Sequence, residues 1–248
     1  MIYFIADAHL GSRIVSNPRK HEMRLVNWLD KVKLDAEKIF MLGDMFDFWF
    51  EYKTVVPKGY VRFLGKLAEL TDNGIEIHFF TGNHDIWTFG YLENEIGLKV
   101  HRKPETFNLK GKKFYMAHGD GLFTDEKGFG IIRKIFHSPT CQKLFRLIPP
   151  QIGQNFGYSW SESNRRKIMH LDNRFQGENK EPLVGFAKKY VENHDIDFMI
   201  FGHRHIELDL ELKNKSRVII LGDFVQLFSY GVFDGENFRL ETNGNIEE

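Results

Sequence analysis

Six short apolar runs punctuate the chain, at residues 2–6, 39–42, 75–80, 114–117, 198–201 and 218–221. Most are almost continuously apolar, and each is followed within two residues by Gly, Asp or His, which predicts buried strands. Between them, apolar positions recur at three- and four-residue spacing over 19–34, 58–71, 85–96 and 182–193, predicting amphipathic helices. Asn73-Gly74 closes the second of these, because Gly readily takes the left-handed conformation at a helix end. Strands alternating with helices predict an α/β layered fold. Near the C-terminal end, 228–233 and 238–240 flank Asp234-Gly235 and predict a β-hairpin.

Residues 122–180 break the rhythm and carry no strand pattern. Ile131, Ile132, Ile135 and Phe136 have helical spacing. Ser138-Pro139 predicts a new helix, with Ser as N-cap and Pro in the first turn. Leu144, Phe145, Leu147 and Ile148 form a second apolar set, ended by Pro149-Pro150. A third helix is predicted from near Ser161, carrying Arg165-Arg166-Lys167. The segment is too apolar for a linker, so the reading is one domain over 1–248 with a helical insertion at about 122–180.

Composition places the chain among folded globular proteins: 248 residues, 42% hydrophobic and 27% charged. A lone cysteine, Cys141, excludes an internal disulfide framework and suits a reducing compartment. The N-terminal residues lack the charged and apolar regions of a secretory signal, and no apolar run has the length of a membrane-spanning helix, so neither is expected. Lys+Arg and Asp+Glu balance at 34 each, which argues against a uniformly basic nucleic-acid binder. The balance hides a segregation. Residues 127–167 hold eight Lys/Arg and one acid, Glu162, a net charge of +7, so the remainder carries −7. Basic residues interleaved with Phe, Ile and Leu suit an anionic membrane surface and acyl chains. The plainer reading is that the apolar side chains pack the insertion onto the body. Nucleic acid is not an expected partner, because the patch lacks exposed aromatics alternating with basic groups; Trp160 reads as a packing anchor.

Five polar motifs stand at the ends of predicted strands: Asp7-Ala8-His9, Gly43-Asp44, Gly82-Asn83-His84-Asp85, His118-Gly119-Asp120 and Gly202-His203-Arg204-His205. Ligand sites of α/β sheets form beyond the carboxyl ends of strands, so distant motifs can converge there. In Asp-x-His and His-x-His, side-chain alternation along an extended segment would point both residues the same way. Pooled, Asp7, His9, Asp44, Asn83, His118, His203 and His205 exceed one tetrahedral site and suit two divalent metals sharing a carboxylate. Oxygen and imidazole without thiolate admits Mn²⁺, Fe²⁺, Zn²⁺ or Co²⁺.

The order Asp-x-His, Gly-Asp, Gly-Asn-His, His, Gly-His-x-His resembles the calcineurin-like metallophosphoesterase superfamily over nearly the whole chain. That resemblance implies a four-layer α/β/β/α sandwich. Asp7, His9, Asp44 and His205 would hold one metal, and Asp44, Asn83, His118 and His203 the other. Water made acidic by the two cations would attack phosphorus as hydroxide. His84 would contact phosphate or the leaving oxygen, held by Asp47 three residues after the bridging Asp44. A closer resemblance, carried by residues 4–10, 42–49 and 118–125, is to the bacterial UDP-2,3-diacylglucosamine diphosphatase family of lipid A synthesis. It implies hydrolysis of the lipid nucleotide's pyrophosphate to UMP and 2,3-diacylglucosamine 1-phosphate. It also implies Mn²⁺, a helical lid over the acyl chains, and a cytoplasmic enzyme peripheral on the inner membrane. Asp125 and Asn164 would touch the sugar, and Arg165, Arg166 and Lys167 phosphate. One departure stands out: Gly-Asn-His-Asp here, where the best-known members read Gly-Asn-Arg-Asp. A metallophosphodiesterase or nuclease acting on another phosphodiester is the alternative. A non-enzymatic scaffold is disfavoured, since such members typically lose ligands and all seven stand here.

Overall fold

The computed structural model describes residues 1–122, 129–169 and 175–244, with 129, 131–132 and 164–169 described as backbone only. In chain order the elements are β1 (Ile2–Ile5), α1 (Pro18–Val32), β2 (Lys38–Leu42), α2 (Val61–Asp72), β3 (Glu76–Phe80), α3 (Tyr91–Asn94), β4 (Lys99–His101), β5 (Glu105–Leu109) and β6 (Lys112–Ala117). Then come α4 (Phe129–His137), α5 (Pro139–Phe145), α6 (Pro150–Met169), α7 (Pro182–Tyr190), β7 (Phe198–Phe201), β8 (Glu207–Glu211), β9 (Arg217–Leu221), β10 (Ser229–Phe233) and β11 (Phe238–Thr242).

The strands form two mixed sheets, ordered β11-β10-β1-β2-β3-β4 and β5-β6-β7-β9-β8. In the first, β1, β2, β3 and β4 run parallel and the β10–β11 hairpin is antiparallel to β1. In the second, β6, β7 and β9 run parallel between antiparallel edges β5 and β8. Alternation along each strand assigns the layers. Ile2, Phe4, Phe40, Leu42, Phe114, Met116, Phe198, Ile200, Ile219 and Leu221 fill the space between the sheets. Tyr3, Ile5, Ile39 and Met41 face the other way, onto α1 and α2 through Leu25, Trp28, Leu29, Phe63 and Leu67. Behind the second sheet, Tyr115, Met199, Phe201 and Ile220 pack on Leu183, Val184 and Ala187 of α7. The expected α/β/β/α order is the observed one.

Three strands were not foreseen. β4 is three residues long, and β5 is an edge strand exposed at most positions. β8 is a half-exposed edge with Leu at alternate positions, so its period of two was present in Glu207-Leu208-Asp209-Leu210-Glu211. The helix expected over 85–96 is corrected to the single turn of α3. Asp85 is buried and caps other loops instead of starting a helix, and Gly90 has φ 118°. The helix expected from near Ser161 begins at Pro150. Gly153 and Gly157 concealed it, but they serve contact rather than flexibility. A Cβ on Gly157 would overlap the Phe48 ring, and one on Gly153 would overlap Tyr52. Ser138 caps α5 as expected, accepting from Cys141 N at 3.4 Å.

Helices α4–α6 meet the body at a small aromatic cluster. Phe136 and Phe145 pack against Phe48, Phe50 and Trp87, and Trp87 Nε1 donates to Phe136 O at 3.2 Å. Tyr158 and Tyr60 share a hydroxyl hydrogen bond of 2.6 Å, and Arg13 reaches Asn155 and Ser159. Several other apolar side chains point outward. Leu144 is 60% exposed, Leu147 79%, Ile152 60% and Phe156 54%. Trp160 contacts Phe136 and Phe156 yet stays partly exposed. Packing therefore accounts for only part of the apolar content of these helices.

Candidate metal centre

All five motifs gather beyond the carboxyl ends of β1, β2, β3, β6 and β7, with Asp223 added after β9. Main-chain bonds knit the loops together. Asp7 N donates to Gly43 O (3.0 Å), His9 N to Asp44 O (2.9 Å) and Gly202 N to His118 O (2.9 Å). Gly82 is required by close approach, since a Cβ there would overlap the Asp44 carboxylate. Asp7, His9, Asp44, His203 and His205 all have φ between 44° and 69°. That left-handed region is uncommon for non-glycine residues and marks functional loops. It also corrects the expectation of extended Asp-x-His and His-x-His segments: the chain turns at these residues, and convergence comes from the turns rather than from strand alternation.

Among the described residues, three groupings have ligand atoms close enough to share an ion: Asp7, His9 and His205; Asp44, His118 and His203; and His9, Asp44 and His84. Asp7 Oδ1 lies 3.6 Å from His9 Nε2 and 3.4 Å from His205 Nε2. Asp44 Oδ2 lies 3.4 Å from His118 Nε2 and 3.8 Å from both His9 Nε2 and His84 Nε2. Asp44 thus stands between the two outer groupings, as a shared carboxylate must. Asn83 presents a buried Oδ1 that makes no hydrogen bond, as do Asp7 Oδ1 and His118 Nε2.

The rings are oriented by what they touch on the far side. His118 Nδ1 bonds Leu42 O at 2.8 Å, and His84 Nδ1 bonds Asp47 O at 2.8 Å. A carbonyl only accepts, so each Nδ1 carries the proton and, in the neutral ring, each Nε2 offers a lone pair to the carboxylates. His205 Nδ1 faces Asp223 Oδ2 at 3.3 Å. Lone pairs aimed at buried carboxylates are costly alone and favourable around a cation. Burial opposes charge on His118, yet Asp44 and Asp7 more than offset it and hold the imidazolium well above its usual range. Burial pushes the Asp44 carboxyl up, but His118, His84 and His9 outweigh it and hold it well below the usual range. Burial raises Asp7 to about 6 against the pull of His205 and His118. Burial and the neighbouring His118 charge depress His203 to about 3. These side chains fit divalent cations: hard oxygen and neutral imidazole donors converge where buried negative charge favours a positive partner.

The expected Asp47–His84 pairing is corrected. His84 is held by the Asp47 main-chain carbonyl, and the Asp47 carboxylate Oδ1 lies 3.6 Å from His9 Nδ1. Two contributors were missed. Asp85 accepts from Gly82 N (2.7 Å), Met45 N (2.8 Å), Asp44 N (3.3 Å) and Phe46 N (3.4 Å), tying the second and third loops into one body. Burial, then repulsion from Asp44, raises its carboxyl to about 7. Asp223 was readable in principle, because Leu221-Gly222-Asp223 repeats the strand-end pattern of Leu42-Gly43-Asp44. Of the expected substrate contacts, Asp125 lies outside the described residues. Asn164, Arg165, Arg166 and Lys167 lie on α6, and their side chains are outside the described set.

A cluster of buried Asp and His side chains beyond the ends of two sheets defines a class, and residues 1–207 match the calcineurin-like phosphoesterase family: the chain belongs to it. Its relatives are more specific. A UDP-2,3-diacylglucosamine hydrolase of Porphyromonas gingivalis is 42% identical over 259 positions, covering 99% of this chain and 98% of that protein. A protein of the same name from Histophilus somni is 27% identical over 226 positions, covering 90% and 91%. Among solved structures, a dimetal phosphatase from Danio rerio superposes with a TM-score of 0.48 at 13% identity, covering 98% of each chain.

Proposed function

We propose that this metal-dependent phosphoester hydrolase cleaves the pyrophosphate of UDP-2,3-diacylglucosamine, giving UMP and 2,3-diacylglucosamine 1-phosphate. The observation that carries the reading is full-length 42% identity to a hydrolase named for that substrate. Two divalent ions, Mn²⁺ by preference, would lower the pKa of water and neutralise charge on the phosphoryl oxygens. Asp7, His9, Asp44 and His205 would hold one, and Asp44, Asn83, His118 and His203 the other. The Asp47 carboxylate orients His9, and Asp223 orients His205.

Attack falls on the phosphorus nearer uridine, and the bond that breaks is to the bridging oxygen, which leaves on the lipid phosphate. A phosphate monoester leaves readily near neutral pH, since its second pKa is about 6. His84 therefore need not protonate the leaving group. Its Nε2, beside Asp44, is placed to stabilise charge on the phosphoryl oxygens when the ring is protonated, while Nδ1 stays on the Asp47 carbonyl. Helices α4–α6 serve as a lid. Asp125 and Asn164 contact the sugar, and Arg165, Arg166 and Lys167 bind phosphate.

No helix among the described residues is long and apolar enough to cross a membrane. The outward Leu144, Leu147, Ile152 and Phe156, beside Lys143 and Arg146, support peripheral attachment to the anionic inner face of the membrane. Purified protein with Mn²⁺ and the lipid nucleotide should release UMP, and reaction in ¹⁸O-water should place the label in UMP. No release, or release unaltered in His203→Ala, overturns the proposal.

A further inference from the structure

A second recess adjoins the cluster. It is a cavity of about 260 Å³ between the end of β3, the β4–β5 turn, the loop after β6 and α4. His118, a candidate ligand, forms part of its wall, so the cavity adjoins the cluster. Its other polar side chains include the cations Arg102 and Lys103 from the β4–β5 turn and Arg133 from α4, the acid Asp120, and Thr81 and His137, the last with its charged form disfavoured by burial. Arg133 and His137 are one helical turn apart and share a face of α4. Phe136, on a flank of the same helix, joins the Trp87–Phe145 cluster. Helix α4 thus borders both the cavity and the aromatic cluster.

The cations differ in how far they are already engaged. Arg102 bonds Thr88 O at 3.1 Å and Glu93 Oε1 at 2.5 Å, which makes it part of the wall. Arg133 bonds Asp120 Oδ2 at 2.9 Å through Nε, and among the described residues its terminal nitrogens make no hydrogen bond. Lys103 is exposed and has no ion-pair partner among the described residues. Such a lining repels acyl chains and attracts a phosphoryl group with a polar body behind it.

We propose that this cavity is the subsite for the nucleoside monophosphate half of the substrate, with Lys103 and Arg133 as its anion-binding residues. The inference rests on the function proposed above and divides the substrate: nucleotide toward the β4–β5 turn, lipid toward the aromatic face of α4–α6.

The test uses the metal-loaded protein, UMP and the lipid monophosphate product, with Kd measured by calorimetry for wild type, Lys103→Glu and Arg133→Gln. Lys103 is on an exposed turn, so its variant keeps the test valid should Arg133→Gln disturb α4. Each variant should weaken UMP binding about tenfold or more and leave the lipid monophosphate unchanged. Unchanged UMP affinity in both, or an equal loss for the lipid product, overturns the subsite. UMP release from the lipid nucleotide is assayed in parallel. Wild type that binds UMP through Lys103 and Arg133 but does not cleave the lipid nucleotide would overturn the function while sustaining the anion subsite. Cleavage with UMP affinity and KM unchanged in the variants would do the reverse.

Discussion

Asp85 shows how much one side chain can organise. It neither contacts solvent nor enters any of the three ligand groupings, yet it gathers four main-chain N–H groups from the loops that carry Asp44 and Asn83. Asp85→Ala strands those donors, each costing about 1–3 kcal/mol when buried unpaired. Thermal unfolding should show a fall of several degrees or more, with Asp85→Asn, which keeps one acceptor oxygen, falling less; a melt within a degree of wild type for Asp85→Ala would refute that role. His78 offers a pH test remote from the cluster. Burial lowers it to about 4 against the pull of Glu76, and it bonds His101 Nε2 at 2.8 Å. A histidine with a depressed folded pKa contributes stability above its unfolded value, about 6.5, and that contribution drains away as pH falls toward 4. The Tm difference between wild type and His78→Phe should therefore narrow from pH 7 to pH 5; a constant difference would refute it. The seven candidate ligands were legible because each motif ends an apolar run. Asp85 was not, because a carboxylate that caps its neighbours leaves the same trace in sequence as one that starts a helix. That ambiguity also produced the overlong helix at 85–96.

Among the elements, α6 was read least well. Propensity discounts Gly153 and Gly157 as helix formers, so the sequence pattern places its start eleven residues late. Their value is tertiary, since they let α6 lie against Phe48 and Tyr52. Gly157→Ala should therefore destabilise, by about 1–3 kcal/mol, although alanine is the better helix former. Chemical denaturation measures this, and a stabilised variant would mean that α6 is not held against Phe48. Edge strands β5 and β8 were overlooked for the opposite reason: their exposed faces dilute the apolar signal that marks β1, β2 and β7.

For the molecule as a whole, buried strands alternating with amphipathic helices gave the α/β class and the family resemblance implied the layer order, whereas neither gave the strand order within each sheet. The hairpin β10–β11, last in sequence, lies beside β1, the first strand. No local pattern encodes that neighbour choice, which depends on how the finished sheets pack. Ions bound only by the folded chain add to its stability and relieve repulsion between Asp7 and Asp44. Chelation with EDTA should lower the Tm and Mn²⁺ should restore it; identical melts would show that the cluster is uncoupled from folding. The candidate ligands come from both sheets, from Asp7 after β1 to His205 after β7, so no early fragment of the chain carries all seven. The loops of the first sheet bring only His9, Asp44 and His84 together, so the groupings that include His118, His203 and His205 form only when the second sheet closes on the first. Loading of both outer groupings would thereby report that the two halves of the chain have closed on each other.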